Sequence, residues 1–159
     1  MTGVRFPSTL KKLGDYIFPV SYVELDISIP SSLVSFGVQN NALKSINVYK
    51  ADGQINFISE NGALYNKGKT ILYYNPEKED IVVPDTVTTI KSNAFPMVRK
   101  SITIPRSVIS IGDTIIDDHY YGDLMKNETP LYIYGYKDSM AELFSITSYY
   151  RGISFQALD

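Results

Sequence analysis

Residues 63–70, ALYNKGKT, come closer to a phosphate-binding loop than any other stretch of this chain, with alanine in place of the first glycine. A phosphate loop follows a strand and opens a helix, because the helical N–H groups hold the phosphates. Here residues 71–74, ILYY, instead read as a strand. The pattern therefore predicts that Lys67 and Gly68 form a hairpin turn, that Lys69 is exposed, and that no nucleotide binds.

His119 is the only histidine, and it lies close in sequence to Asp117, Asp118 and Asp123. A histidine among carboxylates could hold a metal ion or act as a general acid/base pair. We favour the simpler interpretation, a solvated acidic loop within residues 117–130. No glycine-framed serine or serine–histidine–carboxylate set accompanies it. We therefore expect no catalytic residue, no cofactor and no metal site, and a protein that is not an enzyme.

Composition favours one ordinary folded domain over residues 1–159. The chain has 44% hydrophobic residues, enough for a core, and a net charge of −2. No basic patch interleaved with aromatic residues appears, so we expect no nucleic acid partner. The absence of cysteine excludes disulfides and thiolate metal sites. No apolar run reaches membrane-spanning length, and the first residues lack a signal-peptide core.

Four stretches of the chain repeat one short pattern of alternating apolar residues followed by a proline. These prolines are Pro7, Pro30, Pro84 and Pro105. The first two lie 23 residues apart and the last two lie 21 residues apart. A period in the low twenties is typical of a solenoid, whose coils bury their apolar faces by stacking on one another.

The repeat at residues 102–112 shows how one coil is built. Because side chains alternate along a strand, Ile102 and Ile104 should face the core and Thr103 the solvent. Proline then ends the strand, and apolar residues three apart carry the chain around the turn. Gly112 is expected to supply a backbone angle that other residues avoid. Lys91 departs from this pattern, since it stands where the other repeats have glycine.

This register predicts one parallel ladder of strands along the whole chain. The 54 residues between Pro30 and Pro84 exceed one period. We assign one coil to them, together with an inserted antiparallel β-hairpin at about 55–75 whose turn is Asn61-Gly62. The predicted ladder strands are 4–6, 27–29, 46–48, 81–83 and 102–104, extended by 131–133.

The C-terminal residues, about 131–159, are predicted to cap the solenoid with a helix and a final strand at 153–155. Ser139 and Glu142 have the spacing of a capping box, in which each side chain bonds a backbone N–H of the first turn. Gly152 would let the helix end. The apolar stripe expected to cover the last coil consists of Met140, Leu143, Phe144 and Thr147.

Residues 102–113, ITIPRSVISIGD, resemble the BspA-type leucine-rich repeat, the treponema-like branch of that superfamily. Residues 61–76 resemble the hairpin often inserted between such repeats, and residues 133–139 with the helix after them resemble the segment that often ends the array. The resemblance implies an α/β-type leucine-rich repeat solenoid with a parallel β-ladder. It also implies a bacterial cell-surface or secreted protein of the adhesion type.

Strand alternation places one column of varied side chains on the outside of the predicted sheet. The inward column is held apolar by packing, whereas the outward one is free to bind. We expect this column and the hairpin beside it to contact a protein or another macromolecular surface. The alternative is a structural spacer or stalk that positions another domain of a larger surface protein. We also expect the chain to be a segment of a longer array, although a short natural protein that caps its end by pairing stays open. The outward column comprises Arg5, Ser28, Asn47, Val82, Thr103 and Tyr132.

Overall fold

The computed structural model describes residues 3–15, 17–18, 25–37, 43–75, 79–95, 98, 100–116, 130–148 and 152–158, and in them it is a β-solenoid of stacked, mostly parallel strands. The strands are β1 (Gly3–Arg5), β2 (Lys12–Leu13), β3 (Leu25–Pro30), β4 (Ser35–Phe36), β5 (Leu43–Tyr49), β6 (Phe57–Glu60), β7 (Ala63–Asn66), β8 (Ile71–Tyr74), β9 (Asp80–Val82), β10 (Thr89–Ile90), β11 (Ser101–Thr103), β12 (Ser110–Ile111), β13 (Leu131–Gly135) and β14 (Ile153–Ala157), and the helix is α1 (Met140–Thr147).

The front wall of the solenoid consists of two parallel ladders. The N-terminal front ladder has the order β1-β3-β5, and the C-terminal front ladder has the order β14-β13-β11-β9. The strands predicted from the repeat pattern are therefore rungs, and they are parallel. The prediction of one continuous ladder is wrong, because β5 and β9 belong to different sheets.

The back wall carries the second strand of each coil. Strands β2 and β4 pair in parallel at its N-terminal end, and β8, β10 and β12 pair in parallel further along. Main-chain hydrogen bonds of the back wall join one coil to the next; the Thr70 carbonyl, for example, accepts from Thr89 N–H at 3.0 Å. The buried residues of the front and back walls meet in the core between them.

The stretch from β6 to β8 is antiparallel and is joined directly to the back wall. Strands β6 and β7 pair across the turn at Asn61 and Gly62, whose φ angles of 51° and 82° are those expected for Asn-Gly. Strand β7 then pairs antiparallel with β8, and β8 pairs in parallel with β10. Residues 55–75 are therefore not an excursion that leaves the solenoid, because β8 is itself a rung of the back wall.

Strand β7 explains why the front wall is split, because it is buried on both faces. Leu64 packs with the N-terminal core around Ile27, Leu33 and Ile46. Its neighbours Ala63 and Tyr65 pack with the C-terminal core. Successive side chains of β7 point to opposite faces of the strand and therefore pack in two separate hydrophobic clusters. The β6–β7 pair lies between the cores, where the predicted ladder had the strand at 46–48 next to the strand at 81–83.

The repeat glycines serve close packing and not an unusual backbone angle. Neither Gly37 nor Gly112 has a positive φ, so the predicted conformational role is wrong. A Cβ at Gly37 would instead lie 2.2 Å from the backbone of Gly14, and a Cβ at Gly112 would lie 2.5 Å from the nitrogen of Ser92. Each of these glycines lets its coil approach the preceding coil.

Helix α1 begins after Ser139, as predicted, but the capping box does not form. The Ser139 hydroxyl donates to the Tyr136 carbonyl at 2.6 Å and makes no bond to the first turn. The Glu142 carboxylate accepts from Asp138 N–H at 2.7 Å. The tight turn before the helix accounts for this, since Asp138 has a φ of 58° and its N–H is within reach of the glutamate.

The buried face of α1 also differs from the predicted stripe. Ala141 and Phe144 are buried against the last coil, whereas Leu143 is 50% exposed and Thr147 is exposed. The helix ends at Thr147, and Gly152, with a φ of 90°, forms the turn that leads into β14. The helix has only eight residues, and it packs against β12, β13 and β14 with this narrow face.

Candidate protein-binding face

The candidate site is the outward face of the two front ladders. In the N-terminal front ladder, the structure brings three predicted residues together. Arg5 pairs in register with Ser28, and Ser28 pairs in register with Asn47. These three side chains form one row across β1, β3 and β5, as the shared repeat register predicted.

In the C-terminal front ladder, the predicted column is partly displaced. Val82 and Thr103 are in register on β9 and β11. The residue in register with Thr103 on β13 is Tyr134, whereas Tyr132 pairs with Ser101. Tyr132 lies on the predicted face but two residues away from the predicted row. Because the front wall is split, the two rows do not form one column.

An arginine stacked on a tyrosine dominates the N-terminal row. The Arg5 guanidinium lies 4.0 Å from the centre of the Tyr49 ring. The Tyr49 hydroxyl donates to the Phe6 carbonyl at 2.6 Å, so the ring from β5 reaches across the ladder to β1. Sequence reasoning missed Tyr49, although alternation from Asn47 places it on the same face. Arginine stacks on aromatic rings through the attraction of its charge for the ring face.

Tyrosines form the centre of the C-terminal face. Two of them, Tyr132 and Tyr134, alternate along β13, and the third, Tyr136, directly follows the end of that strand. All three side chains are half-buried. The rings of Tyr132 and Tyr134 lie with their centres 6.3 Å apart. The Arg106 guanidinium lies 4.5 Å from the centre of the Tyr136 ring. Beside them on β9, Val82 is 71% exposed.

The same side-chain hydrogen bond links two rungs in each ladder. The Ser45 hydroxyl donates to the Asp26 carboxylate at 2.5 Å, and the Ser101 hydroxyl donates to the Asp80 carboxylate at 2.6 Å. Both pairs join residues that are in register on neighbouring strands. Lys100 adds an ion pair to Asp80 at 3.7 Å. Pairs of this kind between neighbouring strands fix the outward face in place.

Residues 63–70, the stretch that resembles a phosphate-binding loop, contain a turn between two strands. The Asn66 side chain closes this turn, because its Oδ1 accepts from the N–H groups of Thr70 and Ile71, both at 2.8 Å. Lys69, and not Gly68, takes the positive φ, which is 54°. The Lys69 ammonium lies 2.6 Å from the Glu60 carboxylate, with 42% of its side chain exposed. Strand β8 follows, so no helix N-terminus faces this loop.

Two tyrosines near the β6–β8 region have shifted acidities. Burial, and then the negative charge of Glu60, raise the pKa of Tyr65 above its ordinary value of 10.0. Burial alone raises the pKa of Tyr73. The Tyr73 ring packs edge-on against Phe57, with centres 5.1 Å apart. Both phenols therefore stay protonated at neutral pH, and neither is prepared to act as a base.

The remaining predicted groups fall outside the described residues. These are His119, Asp117, Asp118 and Asp123, in the loop predicted within residues 117–130. Within the described ranges, no group of three histidine, cysteine or acidic residues is arranged to hold a metal ion. In the same ranges, no helix is long and apolar enough to cross a membrane.

Comparison with solved structures gives the same architecture. A leucine-rich repeat protein from Eubacterium ventriosum is similar with a TM-score of 0.56 and 24% identity, over 84% of this chain and 45% of that chain. The pneumococcal vaccine antigen PcpA is similar with a TM-score of 0.52 and 20% identity, over 70% of this chain and 36% of that chain. At these identities the likeness shows the fold alone. This chain spans less than half the length of either protein.

No curated protein matches this sequence. The family model of the BspA type Leucine rich repeat region, however, matches residues 1–71 and 66–119, with six copies of the repeat. These matches cover the four proline-containing repeats and the β6–β8 region between them. The chain therefore belongs to the BspA-type leucine-rich repeat family.

Proposed function

We propose that this protein is a non-enzymatic module that binds a protein or another macromolecular surface through the outward face of its front ladders. The proposed face comprises Arg5, Ser28 and Asn47 in one row, Val82 and Thr103 in the other, and the tyrosines of β13, Tyr132 among them. We also infer that residues 1–159 are one leucine-rich repeat domain, in which β6 and β7 are an insertion between coils.

The observation that carries this proposal is the fixed arrangement of arginine and tyrosine on the face. Arg5 is stacked on Tyr49, and Arg106 is stacked on Tyr136. Tyrosine and arginine are enriched in the energetically important part of protein interfaces. Because these side chains are already held by stacking and by the ladder, binding would cost little ordering entropy.

We propose a cell-surface or secreted location and an adhesion role on the strength of family resemblance. The description of PcpA as a vaccine antigen is consistent with this location. The acidic balance of the chain and its lack of a basic, aromatic-rich patch support a partner other than nucleic acid. No cofactor is part of the proposal.

The test is an adhesion assay in which beads coated with the purified protein are applied to cultured mammalian cells. We expect Arg5→Glu combined with Asn47→Arg to reduce bead retention about tenfold or more, the effect of losing one interface hot spot. Thr103→Arg tests the C-terminal row separately. The matched control is Lys12→Glu, which reverses the same charge at an exposed position of the back wall. All variants should melt at the temperature of the parent.

Full adhesion by both row variants would exclude this face as the contact surface. Absence of adhesion by the parent protein would favour the second candidate function, a spacer that positions another domain. A specific observation keeps the spacer under consideration: the structures that this chain resembles are more than twice as long as the part it matches.

A further inference from the structure

The split between the two front ladders contains a cavity that shares only Val82 with the proposed face. Its volume is about 380 Å³, within the range of about 300–1,000 Å³ that is usual for binding sites. One side is formed by residues 82–86, at and after the end of β9. The other side is formed by the β6–β7 pair and the turn after it. Ala63, Tyr65, Lys69, Asn75, Val82 and Pro84 are among its lining residues.

Strand β9 presents an open edge on the side away from β11. Val83 N–H donates to the Thr103 carbonyl at 2.9 Å, and the Glu79 carbonyl accepts from Ser101 N–H at 3.0 Å. Backbone groups of a strand alternate in direction, so the odd-numbered residues of β9 face β11. The N–H and C=O of Val82 therefore point away from β11. Within the described part of the chain, no second strand pairs with β9.

The opposite edge of the split is closed by the hairpin. Val48 N–H, on the free edge of β5, donates to the Ser59 hydroxyl at 2.9 Å. Phe57 and Leu64 then pack against the N-terminal core beneath that edge. The β6–β7 pair thus covers β5, whereas no described strand covers the outer edge of β9. An uncovered parallel edge is a template for another strand.

A buried polar atom in the cavity lacks a partner. Asn75 is only 7% exposed, and its backbone N–H donates to the Ala94 carbonyl at 2.8 Å. Its side-chain Oδ1, however, is buried and accepts no hydrogen bond from any described residue. Buried polar groups in native proteins are nearly always hydrogen-bonded, so this acceptor calls for a donor from outside the described residues, and a ligand in the cavity is one source of such a donor.

We propose that an extended segment of a partner protein enters this cavity and adds to β9 as a further parallel or antiparallel strand. Its backbone would pair with the N–H and C=O of Val82, and a donor on the segment would bond Asn75 Oδ1. This is recognition by strand addition, in which main-chain bonds supply affinity and neighbouring pockets supply specificity.

Charge indicates the chemistry of the segment. Glu79, directly before β9, and Asp85, in the turn after it, are exposed. Asp80, also exposed, is already paired with Ser101 and Lys100. Lys69, across the cavity, is already paired with Glu60. An uncovered acidic edge favours a segment that carries lysine or arginine beside its pairing residues. The proposal shares with the proposed function the class of partner and Val82, but it uses the backbone of Val82 at the edge of the ladder and not its side chain on the face.

The test begins with selection of a library of random linear peptides on the immobilised full chain. The affinity of the enriched peptides is then measured by fluorescence anisotropy. We expect Val82→Pro to weaken binding about tenfold or more, because it removes the outward N–H. The bonds between β9 and β11 do not use that N–H, so the ladder should be kept. Val82→Thr is the matched comparison, since it changes the side chain and keeps the amide, and it should bind more tightly than Val82→Pro.

A second measurement uses the parent protein and modified peptides, so it does not depend on how well a variant folds. Methylating the amides at one set of alternate peptide positions should abolish binding, and methylating the other set should not. Asn75→Leu removes the orphan acceptor. We expect this variant to melt at or above the temperature of the parent and to bind the peptides at least severalfold more weakly, which a purely structural role of Asn75 would not produce.

Several results would overturn the proposal. They are a selection that enriches no peptide, peptides that bind Val82→Pro as tightly as the parent, and methylation that has the same effect at both sets of positions. Peptides that lose binding to Thr103→Arg but not to Val82→Pro would support the face and reject the edge. Loss of adhesion in the face variants together with intact peptide binding would support both sites independently.

Discussion

At the residue scale, the glycines that end each repeat show how closely the coils are stacked. A Cβ at Gly112 would lie 2.5 Å from Ser92 nitrogen, whereas a Cβ at Gly14 would meet nothing closer than the Ile17 side chain at 3.9 Å. The difference arises because Gly14 has no described coil packed against that side. The same residue type in the same repeat position is therefore under different constraints.

We expect Gly112→Ala to lower the free energy of unfolding by about 1–3 kcal/mol, because the added methyl group overpacks a backbone contact. Gly14→Ala is the matched control and should change it by less than about 0.5 kcal/mol. Urea denaturation of both variants measures the difference. Equal destabilisation would mean that close coil stacking is not the reason for the glycine.

Tyr65 should make stability depend on alkaline pH. Burial, and then Glu60, raise its pKa in the folded state above the ordinary 10.0 of the unfolded chain. The folded state then holds its proton where the unfolded state releases it. The contribution of Tyr65 is therefore complete below about pH 10 and is lost as the pH rises through the folded-state pKa.

Above pH 10, we expect the unfolding free energy of Tyr65→Phe to fall less steeply with pH than that of the parent. Some fall should remain, because the pKa of Tyr73 is also raised in the folded state. Glu60→Gln should reduce the slope in part, since it removes the second cause. Urea titrations at a series of alkaline pH values give the slopes. Identical slopes for all three proteins would contradict the assignment.

At the scale of elements, the register of the C-terminal front ladder depends on inward isoleucines. Ile104 is fully buried, and its N–H donates to the Tyr134 carbonyl at 2.8 Å. Ile104→Asp would bury an unpaired charge between coils and should destabilise by several kcal/mol, about the penalty for an unsatisfied buried polar group or more. Thr103→Asp places the same charge on the outward face and should be tolerated. Thermal melts decide between them, and an unchanged Ile104→Asp melt would rule out this register.

Sequence reasoning predicted the rungs but not their grouping. The prolines and apolar alternation identify each strand and its inward side chains, because those depend only on local packing. Which strands are neighbours depends on what enters the core between them. Residues 63–65, Ala-Leu-Tyr, are all buried. Three successive apolar residues indicate a strand covered on both faces, and this was the available sign that β7 separates two cores.

The capping helix shows a similar limit. The sequence located its start at Ser139, because serine followed by glutamate three residues later is a local pattern. It did not predict that Asp138 would take a left-handed conformation and capture Glu142. Nor did it predict that Leu143 would be exposed, since the direction in which the helix crosses β13 is a tertiary property.

At the scale of the whole molecule, the two cores should respond to mutation separately. Each coil of a solenoid contacts only its neighbours, so the stability of each region depends mainly on the packing within that region. Leu33 is fully buried in the N-terminal core. We expect Leu33→Ala to destabilise that half by about 2–5 kcal/mol. Amide hydrogen exchange should then become faster in β3 and β5, while the amides of β11 and β13 keep their protection. Faster exchange throughout would indicate a single cooperative unit.

The split in the front wall has a mechanical consequence. Rung hydrogen bonds run along the solenoid axis, so a force pulling its ends apart loads the coils in series, and the weakest joint opens first. Among the described strands, none pairs with β5 on the side of the hairpin. The joint there includes the Val48–Ser59 and Asn56–Leu33 bonds, the bonds from the N–H groups of Asn56 and Phe57 to the Ser31 carbonyl, the bond from the Tyr74 hydroxyl to the Leu43 carbonyl, and the packing of Phe57 and Leu64. In a single-molecule pulling experiment the chain should therefore lengthen first at this joint, with the coils on both sides still folded. Opening this joint would uncover the edge of β5, where Val48 N–H now donates to the Ser59 hydroxyl.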